Sequence, residues 1–492
     1  MKVVVSLLIA LLSVPALAQN APAIVPAPPP TPQTLSSIEA MMNSMAAQHM
    51  FRGNVLISYK GTVVFQQSYG PANMEWRQKN IDGSKFRLGS LTKVMTAMLI
   101  LTLAQDGKID LQKHITDYLP NYRLDTGSRI TVAQLLDHSS GLPNYTDLPD
   151  FPHLISRIKL PTQEFIRRYC ETDLLFPPGT SYAYSNTGYF LLGAISEAVT
   201  GQTYDLNMRQ YIFKPLGMND SGYGWNQYIL ENFAYGYETQ GCEESVAAFA
   251  EMSVPFSAGA LYSTTGDLNK MNVGLANNTV LNPTYTAMLF KPRICEMNCQ
   301  QVPGLFPEGV KSAYGWDHEL LAIPPSKGGV YIWSKLGSLN GYVNYITRTP
   351  EYFVAVLANQ AESYTSYIAL AITQILYGAP PDLVTPKMSA NTSLQRTICK
   401  SGIEAALAQL KAKPPATPST LSIVGNSFVG TYMESNVTLE QADIATRLFE
   451  LNAALFPQVP SVYQDLILGY TKKTAVLPLT LDPNLPPPAQ SH

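Results

Sequence analysis

Ser90 and Lys93 are the residues whose types and spacing most directly predict chemistry. They lie in the segment 86–93, just before a long apolar stretch. Residues three apart on a helix share a face, so the hydroxyl and the amine can meet at hydrogen-bond distance. A serine becomes a good nucleophile when a base takes its proton, and a lysine whose pKa is lowered by burial or a nearby cation can be that base. The pair therefore predicts a nucleophile and its base within four residues.

The spacing alone is weak evidence, because serine and lysine are common residues. A second Ser-x-x-Lys sequence occurs at 156–159, where it runs into a proline. The ordinary interpretation of either match is a helix with a solvated lysine near its start. Two further segments make the first match more informative. One contains Tyr184 and Asn186 and precedes an apolar helix, and the other, 335–342, joins two strand-like runs.

Together these three segments resemble the motifs of the serine β-lactamase and penicillin-binding protein family. The Tyr-x-Asn form of the second motif is similar to the branch of class C β-lactamases, D-alanyl-D-alanine carboxypeptidases and related esterases. The resemblance covers roughly residues 34–378 and includes connecting segments as well as motifs. These segments are 106–111, 130–143, 178–180, 215–218 and 259–264.

The resemblance implies a catalytic role for five residues. Ser90 attacks a carbonyl and becomes an acyl-ester. Lys93 and Tyr184 share the general base and general acid work. Asn186 holds Lys93 and contacts the substrate amide. Lys335 keeps the cluster cationic and draws in a substrate carboxylate.

The third motif is also expected to bind the substrate. The resemblance implies an oxyanion hole made by the backbone N–H groups of Ser90 and Ser338, and substrate contacts from Lys335, Leu336 and Gly337. The family usually carries Lys-Thr-Gly or His-x-Gly here, and Leu336 lacks the hydroxyl that would bind a substrate carboxylate. Such a hydrogen bond contributes roughly 1.5–3 kcal/mol. We therefore expect a poor β-lactamase and a better esterase or peptidase.

The leading functional interpretation is a serine hydrolase with D-alanyl peptides, small esters or β-lactams as substrates and no cofactor. Transacylation or cleavage of D-amino-acid peptides would use the same groups. The alternative is a protein that has lost its chemistry and binds peptidoglycan or a protein partner through C-terminal helices. The complete set of motif residues argues against this alternative.

His138 invites a Ser-His-Asp interpretation, which the rest of the chain does not favour. No Gly-x-Ser-x-Gly sequence occurs anywhere, and His138 lies in a segment that looks structural in this family. No His-Glu-x-x-His sequence occurs either, so no metal ion is expected at the site.

The composition predicts a globular protein with a large core. The chain has 492 residues, of which 46% are hydrophobic and 14% are charged. Its net charge of −3 does not predict the basic surface that binding to nucleic acid requires.

The N-terminal residues predict export to the periplasm or the medium. Lys2 precedes a short apolar run, and a small-x-small cleavage site ends at Ala18, so residues 1–18 are predicted to be a signal peptide. The alternative is an anchor that is not cleaved. Residues 19–33 are expected to be a poorly ordered leader rich in proline and alanine.

The chain has five cysteines, which is a small and odd number for a protein exported to an oxidising compartment. Cys295 and Cys299 are candidates for a small disulfide loop, and Cys170 is expected to pack in a core. The sequence assigns no role to Cys242 or Cys399.

Hydrophobic patterns predict an α+β fold for residues 34–378. A hairpin near the start and three strands near the end are expected to form one antiparallel sheet, flanked by helices and by a mostly helical lobe. The region from the helix after Ser90 to about residue 325 is expected to consist of helices and loops. The segments are a hairpin at 55–59 and 62–68, strands at 330–334, 342–347 and 352–358, and a helix at 365–377.

A change of composition after Gly378 predicts a separate C-terminal part. We expect a linker at 379–400, a small helical extension at 401–475 and a disordered tail at 476–492. One tetratricopeptide-like pattern occurs in the extension, and a stable solenoid normally needs three or more such repeats.

Overall fold

The computed structural model describes residues 24–25, 27–297, 299, 306–326, 328–412, 415 and 439–455. The strands are β1 Gly53–Tyr59, β2 Thr62–Tyr69, β3 Pro71–Asn73, β4 Gln78–Lys79, β5 Phe86–Arg87, β6 Gly222–Tyr223, β7 Tyr237–Gln240, β8 Glu243–Val246, β9 Leu261–Ser263, β10 Ile294–Met297, β11 Val310–Ser312, β12 Asp317–Ala322, β13 Gly329–Leu339, β14 Tyr342–Arg348 and β15 Tyr352–Ala358.

The helices lie mostly between β5 and β10 and after β15. They are α1 Pro32–Ala47, α2 Thr92–Gln105, α3 Ile115–Tyr118, α4 Leu124–Gly127, α5 Val132–Leu136, α6 Thr162–Phe165, α7 Asn186–Thr200, α8 Tyr204–Met208, α9 Lys214–Leu216, α10 Phe256–Gly259, α11 Thr265–Ala276, α12 Pro283–Phe290, α13 Thr365–Leu376, α14 Pro381–Val384, α15 Ala390–Ala412 and α16 Leu439–Leu455. Short 3₁₀ or π turns occur at Gly89–Leu91, Tyr145–Asp147, Ile155–Arg157, Ile166–Cys170 and Arg209–Phe213.

The main sheet is antiparallel and confirms the predicted α+β class. Its strand order is β10-β11-β12-β13-β14-β15-β1-β2. The N-terminal hairpin β1–β2 joins the C-terminal strands through β15, where Gly53 aligns with Ala358 and Tyr59 aligns with Tyr352. Both ends of the predicted domain therefore build one sheet.

Strand β15 shows how the sheet divides two cores. Side chains alternate between the two faces of a strand. Phe353, Ala355 and Leu357 pack into the core shared with the helical lobe. Val354 and Val356 pack into a second core, which α1 and α13 cover. Because both faces are buried, β15 is a continuous apolar run rather than an alternating one.

Helix α2 runs through the core between the sheet and the helical lobe. It is apolar on all sides, and its residues from Thr92 to Ala104 are buried. A helix of this kind is stable only when it is enclosed by other elements. Its burial also takes Lys93 out of contact with water.

Two details of the sheet differ from the sequence prediction. Strands β10, β11 and β12 lie in a region expected to be helices and loops, and they extend the sheet on one side. Strand β13 continues to Leu339, so the third motif lies inside a strand rather than in a connection between two strands.

The described residues near the N-terminus lie against the sheet. The backbone N–H of Val25 donates to the Gly329 carbonyl at 2.9 Å. The Tyr352 hydroxyl donates to the Pro28 carbonyl at 2.6 Å. Helix α1 begins at Pro32, so the end of the predicted leader is part of the fold. The predicted signal peptide lies outside the described residues.

The interval 379–400, which we predicted to be a linker, is partly helical and packs on the domain. It contains α14 and the first half of α15, and the Arg396 side chain donates to the carbonyls of Gln48 and His49. Helix α15 bends at Gly402, where φ is +81°. Its side chains form a small apolar cluster with α16, including Leu407 and Leu448. Most of the tetratricopeptide-like pattern and the predicted tail lie outside the described residues.

Two disulfides are present in the described part of the chain. Cys295 bonds to Cys299, as the sequence suggested, and Cys242 bonds to Cys399 across 157 residues. Cys170 is a buried free thiol, as predicted. Among the described residues, no helix has the length and apolar character needed to cross a membrane.

Candidate active site

Ser90 lies in a 3₁₀ turn that packs backbone to backbone against β13. Gly89, with φ of +54°, has no room for a side chain, because a Cβ would lie 2.5 Å from the Ser338 carbonyl oxygen. A Cβ on Gly337 would lie 2.1 Å from the Leu88 carbonyl oxygen. These two glycines permit the close approach of the turn to the strand.

Lys93 follows Ser90 by one turn and meets three oxygen atoms. Its Nζ donates to Asn186 Oδ1 at 2.6 Å and to the Ala258 carbonyl oxygen at 2.8 Å, and it lies within hydrogen-bond distance of Ser90 Oγ, at 3.2 Å. Burial, and then the positive charge of Lys335, lower the pKa of Lys93 well below its usual value. A neutral amine beside a serine hydroxyl can accept its proton.

Tyr184 and Asn186 are positioned by the N-terminus of α7. Ser185 caps this helix, since its Oγ accepts from the Gly188 backbone N–H at 3.2 Å. The Tyr184 hydroxyl donates to Ser90 Oγ at 2.6 Å. Burial raises the pKa of Tyr184, and the nearby Lys335 charge and the hydrogen bond with Ser90 partly offset this rise. Tyr184 is therefore a protonated phenol that can donate.

Lys335 is paired with a carboxylate that the sequence analysis did not identify. Its Nζ lies 2.8 Å from Asp317 Oδ1, and 5.6 Å from the centre of the Tyr184 ring. Burial alone would lower the pKa of Lys335, but Asp317, then Tyr184 and Glu296, outweigh burial and raise it. The lysine is therefore charged, and its neighbour compensates that charge.

Two further carboxyl groups surround this ion pair. Burial, and then the charge of Asp317, raise the pKa of Glu296 to about 7 and that of Glu319 to about 8. Glu319 Oε1 accepts a hydrogen bond from the Ser334 hydroxyl at 2.7 Å. Asp317 therefore compensates most of the charge of Lys335, which reduces the ability of the lysine to draw in a substrate carboxylate.

Asp317 carries no local sequence signal that could have identified it. It reaches Lys335 because β12 pairs with β13 in the register that aligns Asp317 with Ser334. This pairing lies in the region where helices and loops were predicted.

Leu336 lies on the opposite face of β13 from Lys335 and Gly337. It pairs with Tyr345, which belongs to the core covered by α1 and α13. Leu336 itself is 45% exposed. Side chains of adjacent strand residues point to opposite faces. The structure therefore does not bring Leu336 into the cluster around Ser90.

His138 is a neighbour of Tyr184, and the sequence analysis did not identify this contact. Its ring centre lies 4.6 Å from that of Tyr184, and its Nδ1 accepts from the Ser185 backbone N–H at 3.1 Å. Its carbonyl oxygen accepts from the Ala183 N–H at 3.0 Å. Burial, then the charges of Lys335 and Lys93, lower the pKa of His138 well below its usual value. It is a neutral support behind Tyr184 and does not contact Ser90 in a triad arrangement.

Ser90 opens into a cavity of about 350 Å³. This volume is at the lower end of the range of roughly 300–1,000 Å³ for small-molecule sites. Ser338 and Asn186 also line the cavity, so the predicted oxyanion residues Ser90 and Ser338 share one space. Much of the remaining wall is apolar and includes Phe151 and Val254.

Comparisons with known proteins agree with this arrangement. The sequence profile described as "Beta-lactamase" matches residues 38–378. Penicillin-binding protein 4* of Bacillus subtilis strain 168 is 26% identical over 365 residues, which is 70% of this chain and 77% of that protein. Protein flp of Staphylococcus aureus strain COL is 30% identical over 196 residues, and the match spans only 39% of either chain.

A solved structure confirms the likeness in three dimensions. The octameric penicillin-binding protein homologue from Pyrococcus abyssi superposes with a TM-score of 0.60 at 27% identity, covering 74% of this chain and 81% of that one. The match of the profile covers well over half of this chain and includes Ser90, Lys93, Tyr184, Asn186 and Lys335. The chain therefore belongs to the beta-lactamase family, within the superfamily of serine hydrolases related to penicillin-binding proteins.

Proposed function

We propose that this protein hydrolyses small esters and amides through an acyl-enzyme on Ser90. The observation that carries the proposal is that Ser90 Oγ lies within hydrogen-bond reach of both Lys93 Nζ, at 3.2 Å, and the Tyr184 hydroxyl, at 2.6 Å. A nucleophile, a neutral amine and a protonated phenol therefore meet at one point. This is the set of groups that acyl transfer requires.

Acylation follows from these positions. Ser90 Oγ bonds to the carbonyl carbon and its proton passes to the Lys93 amine, while the carbonyl electron pair moves onto oxygen. The N–H groups of Ser90 and Ser338 stabilise this oxyanion. When the bond to the leaving group breaks, Tyr184 gives it a proton and is reprotonated from Lys93. Water then attacks the acyl-ester by the reverse sequence, which releases the acid and restores Ser90.

Esters and amides without a carboxylate suit the site better than β-lactams or D-alanyl-D-alanine peptides. Lys335 is buried and paired with Asp317, and within the described chain no lysine or arginine lines the cavity. Relatives with a Lys-Thr-Gly motif offer a hydroxyl to the carboxylate, whereas Leu336 lies on the other face of its strand. We therefore propose weak β-lactamase activity. The main reason is that the charge of Lys335 is compensated by Asp317, and the missing hydroxyl at position 336 adds to this.

A labelling experiment with Ser90→Ala tests the proposal. Intact-mass measurement after treatment with a fluorophosphonate should show one adduct, which maps to the peptide containing Ser90. The wild type should hydrolyse p-nitrophenyl acetate, and Ser90→Ala should lose this activity. Labelling that persists in Ser90→Ala would refute the assignment. Adduct formation without turnover would favour the alternative of a binding protein that uses its C-terminal helices.

Export is proposed on the N-terminal sequence and on the two disulfides, since disulfides persist in oxidising compartments. Protein recovered from the periplasm or the medium should begin at or near Gln19. Thiol counting under denaturing, non-reducing conditions should find one free thiol, that of Cys170. Recovery of the protein with residues 1–18 attached would contradict cleavage.

A further inference from the structure

A second cavity, of about 710 Å³, adjoins the short strand β5 that precedes Ser90. Arg87 of this strand lines it, and the described residues around it include none of those that line the cavity at Ser90. Its volume lies within the range of roughly 300–1,000 Å³ for small-molecule sites. The cavity at Arg87 is therefore a candidate binding site separate from the active site.

Four aromatic side chains line the cavity at Arg87 and form what we call its aromatic wall: Trp225, Tyr228, Phe233 and Tyr235. Tyr228 and Tyr235 are exposed, and so is Ile229, another lining residue. Single exposed apolar side chains are ordinary, but several around one concave surface are typical of a ligand site. A flat aromatic ring is a ligand group that such a wall can pack against.

Arg87 brings an incompletely compensated cation to this cavity. Within the described chain, its side chain forms no salt bridge, and its Nε is buried without a hydrogen-bond partner. Its Cζ lies 5.8 Å from the centre of the Phe233 ring. Burial lowers the pKa of Arg87, and the influence of Tyr342 and Glu251 offsets this only in part. Because a guanidinium stays protonated in proteins, an anion is the ligand that this group favours.

The other charges around the cavity at Arg87 have the same sign. Lys79, an exposed lysine, also lines it, and among the described lining residues aspartate and glutamate are absent. Glu251, which acts on Arg87 from a distance, is not a lining residue. A ligand in this cavity therefore meets positive charge and aromatic surface together.

The backbone on both sides of this cavity is held in place. Asn344 Nδ2 donates to the Arg87 carbonyl oxygen at 2.9 Å. The Lys85 N–H donates to the Asn232 carbonyl at 2.9 Å, and the Ala234 N–H donates to the Lys85 carbonyl at 3.0 Å. These bonds fix the segment that carries part of the aromatic wall against the strand that carries the guanidinium, which suits a preformed site.

We propose that the cavity at Arg87 binds a small aromatic carboxylate, whose carboxylate pairs with the terminal nitrogen atoms of Arg87 and whose ring packs against the aromatic wall. The planar guanidinium matches the two oxygen atoms of a carboxylate, which makes this pair stronger than a neutral hydrogen bond. The ring supplies the apolar area that a bare inorganic anion lacks. This binding does not depend on the proposed function of Ser90.

Calorimetric titration of the full chain with three matched ligands tests the proposal. Indole-3-propionate has both the ring and the carboxylate, indole-3-propionamide lacks the charge, and propionate lacks the ring. We expect indole-3-propionate to bind at least about ten-fold more tightly than either of the others. Equal binding of the acid and its amide, or no measurable binding of the acid, would overturn the inference.

Two variants test the two parts of the site separately. Arg87→Gln should weaken the binding of indole-3-propionate by about ten- to a hundred-fold and leave the amide nearly unchanged. Tyr228→Ser, at an exposed position, should weaken indole-3-propionate by about two- to ten-fold, and it decides the proposal even if Arg87→Gln does not fold. Lys113→Gln, at an exposed lysine outside the cavity, should bind as the wild type. Wild-type affinity in Tyr228→Ser or in folded Arg87→Gln would contradict the proposed contacts.

A further variant separates this cavity from the one at Ser90. Asn340→Trp adds bulk at an exposed residue that lines the cavity at Ser90 and not the cavity at Arg87. Binding of indole-3-propionate should be unchanged in Asn340→Trp. Loss of binding in Asn340→Trp, with wild-type affinity in Tyr228→Ser, would place the ligand at Ser90 and overturn the inference.

Discussion

At the scale of single residues, the site depends on Lys93 losing its proton easily while Tyr184 keeps its own. Burial lowers the pKa of Lys93 and raises that of Tyr184, so the same desolvation makes one group a base and the other an acid. Both groups contact Ser90 Oγ directly. In the mechanism that we propose, this difference favours Lys93 for the first proton transfer, which the sequence alone left open between the two residues.

Replacing Lys93 by arginine should abolish turnover even though the charge is kept. Arginine stays protonated in proteins and cannot accept the proton of Ser90. We expect a loss of at least about 10²-fold in kcat for p-nitrophenyl acetate. Lys113→Arg, at an exposed lysine, serves as the control. Near wild-type turnover by Lys93→Arg would make the lysine merely structural.

Lys335 should control the pH at which Lys93 becomes a base. Its positive charge lowers the pKa of Lys93, whereas Asp317 raises it. In Lys335→Met the lowering charge is gone and that of Asp317 remains, so the pKa of Lys93 rises. The acid limb of the profile of kcat/KM against pH should therefore move to higher pH, while Lys113→Met leaves it in place. An unchanged or lower acid limb would show that Lys335 does not act on Lys93.

At the scale of the elements, the pairing of β12 with β13 brings acidic groups to the third motif. Asp317 and Glu319 come from β12, and Ser334 and Lys335 come from β13. Glu319 is 3% exposed, and the folded protein therefore favours its protonated form. This burial couples the stability of the sheet to pH.

Glu319 should make the protein less stable as pH rises. Its pKa is raised from 4.5 to about 8 in the folded state, so the folded state holds a proton that the unfolded state has released. The stabilisation is complete below about 4.5, and its loss is complete above about 8. In Glu319→Gln this loss should vanish, so Tm should fall less between pH 5 and 9 than in the wild type, as measured by thermal unfolding. Glu243→Gln, at an exposed residue, should follow the wild type. Parallel curves for wild type and Glu319→Gln would contradict the raised pKa.

At the scale of the whole molecule, the C-terminal helices are attached to the wall of the cavity at Ser90. The Cys242–Cys399 disulfide joins the β7–β8 hairpin to α15. The hairpin supplies Glu238 to the cavity, whereas within the described residues α14, α15 and α16 supply no lining side chain. The extension thus supports the cavity without entering it.

The long-range disulfide should stabilise the fold more than the short one. Loop-entropy arguments give about 5 kcal/mol for a loop of 157 residues and about 2 kcal/mol for a loop of four, at the upper end of measured effects. Denaturant unfolding of Cys242→Ser/Cys399→Ser and of Cys295→Ser/Cys299→Ser should show the larger loss for the first pair. A larger loss for the second pair would mean that the hairpin does not depend on α15.

A chain that ends at Gly378 should keep ester hydrolysis and lose stability. Within the described residues, the hydrogen bonds of Ser90, Lys93 and Tyr184 do not involve α14–α16, so p-nitrophenyl acetate should be cleaved at a rate close to that of the full chain. The hairpin loses its anchors at Gln395 and Cys399, so the free energy of unfolding should fall. If the shortened protein folds but does not hydrolyse the ester, the extension contributes to the reaction itself.

The sequence by itself determined the local parts of this protein. The family, the α+β class, the Ser90–Lys93 spacing and the hairpin β1–β2 follow from periodicity and short motifs, which depend on neighbours along the chain. The pairing of Cys295 with Cys299 is local in the same sense. Tyr184 and Asn186 could be identified because their turn and the helix after it form one continuous segment.

Only the tertiary structure decided which distant residues share the site. Asp317 reaches Lys335 through a strand pairing, Glu238 reaches the cavity through a hairpin placed beside β15, and Cys242 meets Cys399 across 157 residues. Leu336 turns away from the cluster because the third motif is strand and not loop. Each outcome depends on sheet register and packing between segments far apart in sequence, for which no local pattern carries information.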